Sequence, residues 1–107
     1  MTETVSFYGF GSHFSGNRSP LSDIDVLLLH KNVAPASIDF VIRCKRLLME
    51  VVPSAHIVML SKEEASELDF VRKSKAVLLC EIVEGKEAGC VYLLKGKIAQ
   101  FGVASAV

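Results

Sequence analysis

The chain has 107 residues, of which 50% are hydrophobic and 22% are charged, and its 12 basic side chains balance its 12 acidic ones. We expect residues 1–107 to form one domain, because a chain of this length can bury a hydrophobic core without disulfide or metal support. The composition excludes disordered, collagen-like and disulfide-scaffold proteins. Zero net charge gives no overall attraction to nucleic acid or to an anionic membrane surface.

Three cysteines, Cys44, Cys80 and Cys90, lie among apolar residues without C-x-x-C spacing. An odd number in this arrangement favours buried, reduced thiols over disulfides or metal ligands. The longest apolar runs are far shorter than the roughly 20 residues that span a membrane, and residues 1–4 lack the basic start of a signal peptide. We therefore expect a cytoplasmic protein without membrane contact.

The first half of the chain contains two strand patterns and one helical pattern. Residues 5–10 predict a strand that runs into a polar, glycine-bearing loop over residues 11–22. Residues 24–29 predict a second, neighbouring strand, which is apolar except for Asp25 and therefore covered on both faces. An amphipathic helix is predicted from near Pro35 to a stop before Pro53. Its apolar face is expected to contain Ile38, Val41, Ile42, Leu48 and Val52, and its polar face Asp39, Arg43, Arg46 and Glu50.

The second half begins with a third strand pattern, over residues 55–60. Ser61 and Glu64 then have the spacing of a capping box, which predicts a helix that continues to about Lys75. The apolar stretches 77–83 and 91–94 predict a terminal hairpin or two short strands, whereas residues 97–107 carry too little pattern to be assigned. This order of elements predicts an α+β fold, in which helices flank a small mixed sheet.

Two carboxylates, Asp23 and Asp25, stand at the start of the second strand. Side chains two positions apart on a strand share a face, so these carboxylates would repel each other unless a cation lies between them. Oxygen ligands on a rigid strand favour Mg²⁺, completed by substrate phosphates. The alternative is a solvated turn; the four apolar residues after Asp25 weigh against it, because a carboxylate in a buried strand is costly unless it is paired.

The loop before these carboxylates has the residues of a phosphate-binding segment. Gly9, Gly11 and Gly16 allow the backbone to approach a ligand, and Ser12 supplies a hydroxyl. His13 and Arg18 can meet negative charge. The dinucleotide and P-loop motifs do not fit, because glycine is missing at position 14 and Lys-Ser/Thr is missing at positions 17–18. A phosphate-bearing substrate that bridges the loop and a metal is therefore expected.

The pattern Gly11-Ser12, ten residues and Asp23-x-Asp25 resembles the signature of minimal nucleotidyltransferases of the DNA polymerase β type. Such proteins are often encoded beside a HEPN-type partner as toxin–antitoxin pairs. The resemblance is specific over residues 11–29, and the order of elements supports it to about Lys75. It implies a mixed sheet flanked by helices and transfer of a nucleoside monophosphate, usually AMP from ATP, to a hydroxyl of a protein or RNA acceptor, with release of pyrophosphate.

The resemblance also implies roles for individual residues. Ser15 stands where the family commonly has an arginine, so Arg18 would supply the phosphate clamp. The family usually carries a third carboxylate on the third strand, where this chain has His56, which could bind a metal or could be a partly buried histidine with a hydrogen-bond partner. The remaining assignments are Gly11, Ser12 and Gly16 for the triphosphate, and Asp23 and Asp25 as the catalytic carboxylates that hold Mg²⁺ or Mn²⁺.

Three functional hypotheses follow. The first is an active nucleotidyltransferase that uses ATP and has a protein partner, such as a HEPN-type toxin, or an RNA acceptor, in a homo- or hetero-oligomer. The second is a binding module of the same fold with weak or no turnover, an antitoxin or regulatory subunit, because His56 brings no negative charge. The third is a structural domain without a ligand. Two basic clusters could contact RNA or an acidic partner, or could be solvated helix faces: Arg43, Lys45 and Arg46, and residues 72–75.

Overall fold

A four-stranded mixed sheet organises the computed structural model, which describes residues 2–15 and 24–104. The strands are β1 (Thr4–Phe10), β2 (Ile24–His30), β3 (Ala55–Ser61) and β4 (Val77–Val83). Their order across the sheet is β3-β2-β1-β4, with β1 antiparallel to both of its neighbours and β2 parallel to β3. The predicted mixed sheet, and the pairing of the first two strands, are confirmed.

Within the described residues, five helices accompany the sheet: α1 (Ser12–Ser15), α2 (Pro35–Val51), α3 (Lys62–Leu68), α4 (Phe70–Lys73) and α5 (Glu87–Ala104). The fold class is therefore α+β, as the sequence predicts. The bounds of α2 agree with the predicted start at Pro35 and stop before Pro53. None of the helices in this part of the chain combines the length and the apolar character that a membrane crossing requires.

One face of the sheet, here called the core face, packs against α2 and α5. Alternate residues of the central strands point to it, including Phe7 of β1 and Leu28 of β2, which are both fully buried. Leu27 points to the opposite face and is also fully buried. The prediction that β2 is covered on both faces is therefore confirmed. The helices contribute Phe40, Val41, Cys44 and Leu48 from α2 and Val91, Leu94 and Ile98 from α5 to this core.

The opposite face, here called the site face, is covered by shorter elements. Helix α3 contacts β2 and β3, and its Ala65 is buried. On α4, the ring of Phe70 meets the ring of Phe10 edge to face, with centroids 5.2 Å apart. The cover on this side therefore consists of two short helices instead of two long ones.

The buried stripe of α2 differs from the predicted one. Ile38 is 36% exposed, whereas Ser37 is buried together with Phe40, Val41, Cys44 and Leu48. A serine can occupy this stripe because its hydroxyl accepts a hydrogen bond from the backbone N–H of Asn32 (3.2 Å) and lies 3.3 Å from Nδ1 of His30. Its partners offset the cost of burying a polar group.

The capping box at the start of α3 is confirmed. The Ser61 hydroxyl accepts from the Glu64 amide (3.1 Å), and the Glu64 carboxylate accepts from the Ser61 amide (2.9 Å). The predicted continuation to Lys75 is wrong, because Asp69 adopts φ 50° and separates α3 from α4. Aspartate tolerates this left-handed conformation better than most residues.

The predicted strand or hairpin over residues 91–94 is also wrong. These residues lie in α5, where Val91, Leu94 and Ile98 recur at helical spacing and are buried, while Tyr92 and Leu93 are 69% and 76% exposed. Before the helix, β4 carries a bulge opposite Phe7 and Tyr8, and the Lys97 amine donates to the carbonyl of Leu79 (2.6 Å). This part of the edge strand is thereby joined to α5.

The three cysteines are free thiols, but they differ in burial. Cys44 is buried in the core, whereas Cys80 and Cys90 are half-buried. Burial raises the pKa of Cys44 to about 12 and the pKa of Cys80 to about 11. The thiols at these two positions therefore remain protonated at neutral pH, which suits a structural role.

Candidate functional site

The site predicted from the sequence centres on Asp25, the second residue of β2. Its partner across the antiparallel pair is Phe10 at the end of β1, and its partner across the parallel pair is His56 near the start of β3. Directly paired residues share a face of the sheet. The structure therefore brings the predicted carboxylate and the predicted histidine together on the site face, at the end of the sheet where β1 stops and β2 and β3 begin.

Asp25 and His56 are close enough to act on one ligand. Nδ1 of His56 lies 3.9 Å from Oδ1 of Asp25, and the two side chains are 65% and 27% exposed, respectively. An ion pair forms at this distance only when the imidazole is protonated. Two ligand atoms that are each about 2.1 Å from one metal ion are at most about 4.2 Å apart, so one ion can reach both atoms.

Gly11 approaches the same carboxylate from the end of β1. Its φ is +79°, and a Cβ atom at this position would collide with Oδ2 of Asp25. Glycine is therefore required for two reasons, the left-handed backbone and the space that Oδ2 occupies. The sequence predicts that this glycine lets the backbone approach a ligand; in the structure it lets the backbone approach a predicted ligand-binding carboxylate.

The segment after Gly11 begins with a helical turn, although the sequence predicts a loop. Ser12 is the first residue of α1, and the amide of Phe14 donates to the carbonyl of Gly11 (3.2 Å). The ring of Phe14 is buried and occupies the space that a side chain at Gly9 would need. This packing holds the start of the predicted phosphate loop against the sheet.

His13 is directed into the protein, contrary to the expectation that it meets a negatively charged ligand. It is buried, and its Nε2 lies 3.2 Å from the carbonyl oxygen of Ile98 in α5. The ring also contacts Phe14 edge to face, with centroids 4.9 Å apart. The neighbouring Phe14 is the one apolar residue in the sequence next to His13, and no local pattern indicates the partner in α5.

Three other predicted site residues, Gly16, Arg18 and Asp23, lie outside the described residues, so their assignments stay predictions. In the described ranges 2–15 and 24–104, no group of three or more His, Cys, Asp or Glu side chains is arranged to hold a metal. Within those ranges, Asp25 and His56 bring together two side chains of these types. The neighbouring Asp23 would supply a third ligand if it shares the face of Asp25, as the strand pattern predicts.

The arginines of the two basic clusters are partly neutralised by acidic neighbours. Arg43 lies 3.2 Å from Glu87 and 4.0 Å from Glu84. Arg72 on α4 pairs with Asp69. These contacts favour paired surface charges over open binding sites for nucleic acid at the two arginines.

Chemically, the described part of the site combines a half-buried carboxylate and an exposed imidazole, and the backbone of a glycine lies next to the carboxylate. Oxygen and nitrogen atoms of these types bind divalent cations, and the residues present therefore fit a metal ion between β2 and β3. Comparisons of the chain with protein-family models, with curated proteins and with solved structures give no match. Its function is therefore inferred from the motif and from the geometry around Asp25.

Proposed function

We propose that this protein is a metal-dependent nucleotidyltransferase of the minimal, DNA polymerase β-like type, which transfers AMP from ATP to a hydroxyl of a protein or RNA acceptor. The observation that carries the proposal is the contact between Gly11 and Asp25. These residues belong to the two halves of the motif and are 14 positions apart in the sequence, yet the Gly11 backbone lies against Oδ2 of the Asp25 carboxylate. A phosphate held at Gly11 would be next to a cation held at Asp25.

In the proposed reaction, the acceptor oxygen forms a bond to the α-phosphorus of ATP, the bond to pyrophosphate breaks, and the hydroxyl proton passes to solvent. Asp25, together with Asp23, would hold Mg²⁺ or Mn²⁺. When bound, the divalent ion supplies charge neutralisation for the triphosphate and activation of the acceptor hydroxyl. Ser12, next to Gly11, would donate its hydroxyl to a phosphate oxygen.

The test is transfer of label from ATP labelled at its α-phosphate, with Mg²⁺ or Mn²⁺, to cellular RNA and to the protein encoded beside this chain. We expect Asp25→Asn to reduce transfer at least about 100-fold, because a bound ion contributes several kcal/mol to the transition state. Glu50→Gln is the matched control, since it removes an exposed carboxylate of α2. Absence of label transfer by the unmodified protein, or equal transfer by Asp25→Asn, would contradict the proposal.

A second candidate function is a nucleotide-binding module without turnover, which acts as an antitoxin or regulatory subunit. His56 favours it, because this histidine pairs with Asp25 at the position where the resembling family has a carboxylate. In this case ATP with Mg²⁺ should raise the melting temperature, while no label is transferred. Efficient transfer by the unmodified protein would exclude this candidate.

A further inference from the structure

We infer that the cation site at Asp25 is a mixed oxygen–nitrogen site, in which His56 binds the ion directly and makes the site select Mn²⁺ over Mg²⁺. This inference deepens the proposed function, on which it rests for the role of the ion in turnover. The selectivity itself is a property of the protein and the metal alone. It can therefore be measured without ATP and without an acceptor.

The sheet register is the first argument for direct binding. Asp25 and His56 are paired residues of parallel strands, so their backbones are fixed relative to each other by the ladder of hydrogen bonds between β2 and β3. The two side chains point to the same face, and Nδ1 is the ring nitrogen 3.9 Å from Oδ1. In an octahedral site with ligand distances of about 2.1 Å, neighbouring ligands are about 3.0 Å apart and opposite ligands about 4.2 Å apart, so an ion between these atoms needs a shift of less than about 1 Å.

Access and space are the second argument. His56 is 65% exposed, so an ion can reach Nδ1 from solvent without opening the core. Asp25 is more enclosed, at 27% exposure, and Gly11 lacks the Cβ that would displace Oδ2. The carboxylate therefore has the space beside Gly11 that it occupies, and the imidazole is accessible from solvent.

The identity of the ligand atoms sets the metal preference. Mg²⁺ prefers oxygen ligands and loses its water reluctantly. Mn²⁺ also takes oxygen ligands, but as a first-row transition ion it accepts an imidazole nitrogen more readily than Mg²⁺ does. A nitrogen ligand beside the Asp25 carboxylate therefore favours Mn²⁺ over Mg²⁺.

The experiment is a titration of untagged protein with Mn²⁺, followed by electron paramagnetic resonance and repeated with Mg²⁺ as competitor. We expect one site from which Mg²⁺ displaces Mn²⁺ only at about tenfold or greater excess. Electron spin-echo modulation should report a directly bound imidazole nitrogen. His56→Gln should lower the Mn²⁺ affinity about tenfold or more, since even a residue that only supports a ligand contributes 10–100-fold, and should remove the nitrogen signal.

His56→Asp is the complementary variant, because it replaces the nitrogen ligand with an oxygen ligand and should shift the preference toward Mg²⁺. Glu50→Gln serves again as the surface control, and circular dichroism verifies that each variant is folded. Unchanged Mn²⁺ affinity and an unchanged nitrogen signal in His56→Gln would overturn the inference. If Mn²⁺ binds through His56 but no label is transferred from ATP, the proposed activity fails and the inference on the metal stands.

Discussion

The two faces of the sheet differ in what they bury. The core face is closed by α2 and α5 and buries Phe7 and Leu28 completely. The site face is covered by the short helices α3 and α4 and leaves Asp25 and His56 partly exposed. Neighbouring residues of a strand point to opposite faces. Adjacent positions of β2 can therefore have different roles, in which one side chain stabilises the core and the next can bind a ligand.

The strongest way to test this contrast is to truncate one phenylalanine on each face of β1. Phe7→Ala should lower the free energy of unfolding by about 3–5 kcal/mol, because it leaves a cavity in the core. Phe10→Ala should cost about 1–2 kcal/mol, because it removes a partly buried ring and its contact with Phe70. Urea unfolding measures both values, and Phe7→Leu replaces Phe7→Ala if the latter does not fold. Equal costs at the two positions would contradict the contrast.

Gly11→Ala tests whether Mn²⁺ binding on the site face depends on the glycine at position 11. The left-handed conformation should cost about 1–2 kcal/mol of stability, and the new methyl group should displace the Asp25 carboxylate and weaken Mn²⁺ binding. Gly85→Ala is the matched control, because Gly85 also has a positive φ, of +97°, but has open space around it. Thermal unfolding should show a loss for both variants, with the larger loss in Gly11→Ala because its Cβ also meets Oδ2 of Asp25, and Mn²⁺ titration should show weakened binding only in Gly11→Ala. Equal Mn²⁺ affinities would show that the contact with Asp25 has no role in binding.

A smaller effect on stability is expected at the capping box, which lies at the junction of β3 and α3. Ser61→Ala removes the acceptor for the Glu64 amide and should lower stability by about 1 kcal/mol, or the melting temperature by about 4–8 °C. Ser54→Ala, at an exposed turn, should change stability by less than about 0.5 kcal/mol. Similar melting temperatures for the two variants would argue against a stabilising cap.

The smallest effect is the pH dependence of the same cap. Hydrogen bonds from the Ser61 amide and hydroxyl hold the pKa of Glu64 below its ordinary value of 4.5. The carboxylate therefore stabilises the fold above pH 4.5, and this contribution is lost as the pH falls through the lower folded pKa. Glu64→Gln should melt slightly below the unmodified protein at pH 7, and the difference should narrow toward pH 3. A difference that stays constant with pH would contradict this assignment.

The sequence predicts the elements whose signals are local. Strands β1, β2 and β3 and helix α2 follow from periodicity and from Pro35 and Pro53, and the cap of α3 follows from the spacing of Ser61 and Glu64. Helix α5 is missed because the apolar run over residues 91–94 resembles a strand when it is considered alone. Its helical period becomes clear only with Ile98, beyond that run. The break at Asp69 is set by one backbone conformation that the composition does not reveal.

The sequence predicts only those parts of the site that have a local pattern. The motif identifies Gly11 and Asp25, and the family resemblance identifies His56, which the structure pairs with Asp25. The contact of His13 with Ile98 joins positions 85 residues apart, and no local pattern specifies such a partner. The burial of Ser37 is similar, because it depends on hydrogen-bond partners in the segment before α2.

The link between α1 and α5 has a consequence for how the protein matures on the ribosome. His13 and Phe14 are synthesised early, whereas α5 is synthesised late. Phe14 lies in the same core as Val91, Leu94 and Ile98 of α5, and His13 forms a hydrogen bond with the Ile98 carbonyl. While α5 is still inside the exit tunnel, the motif segment of the nascent chain lacks its support. His13 and Phe14 should therefore reach their native packing only after α5 has left the tunnel, so that premature termination before Ile98 would yield a chain in which these two residues lack their support.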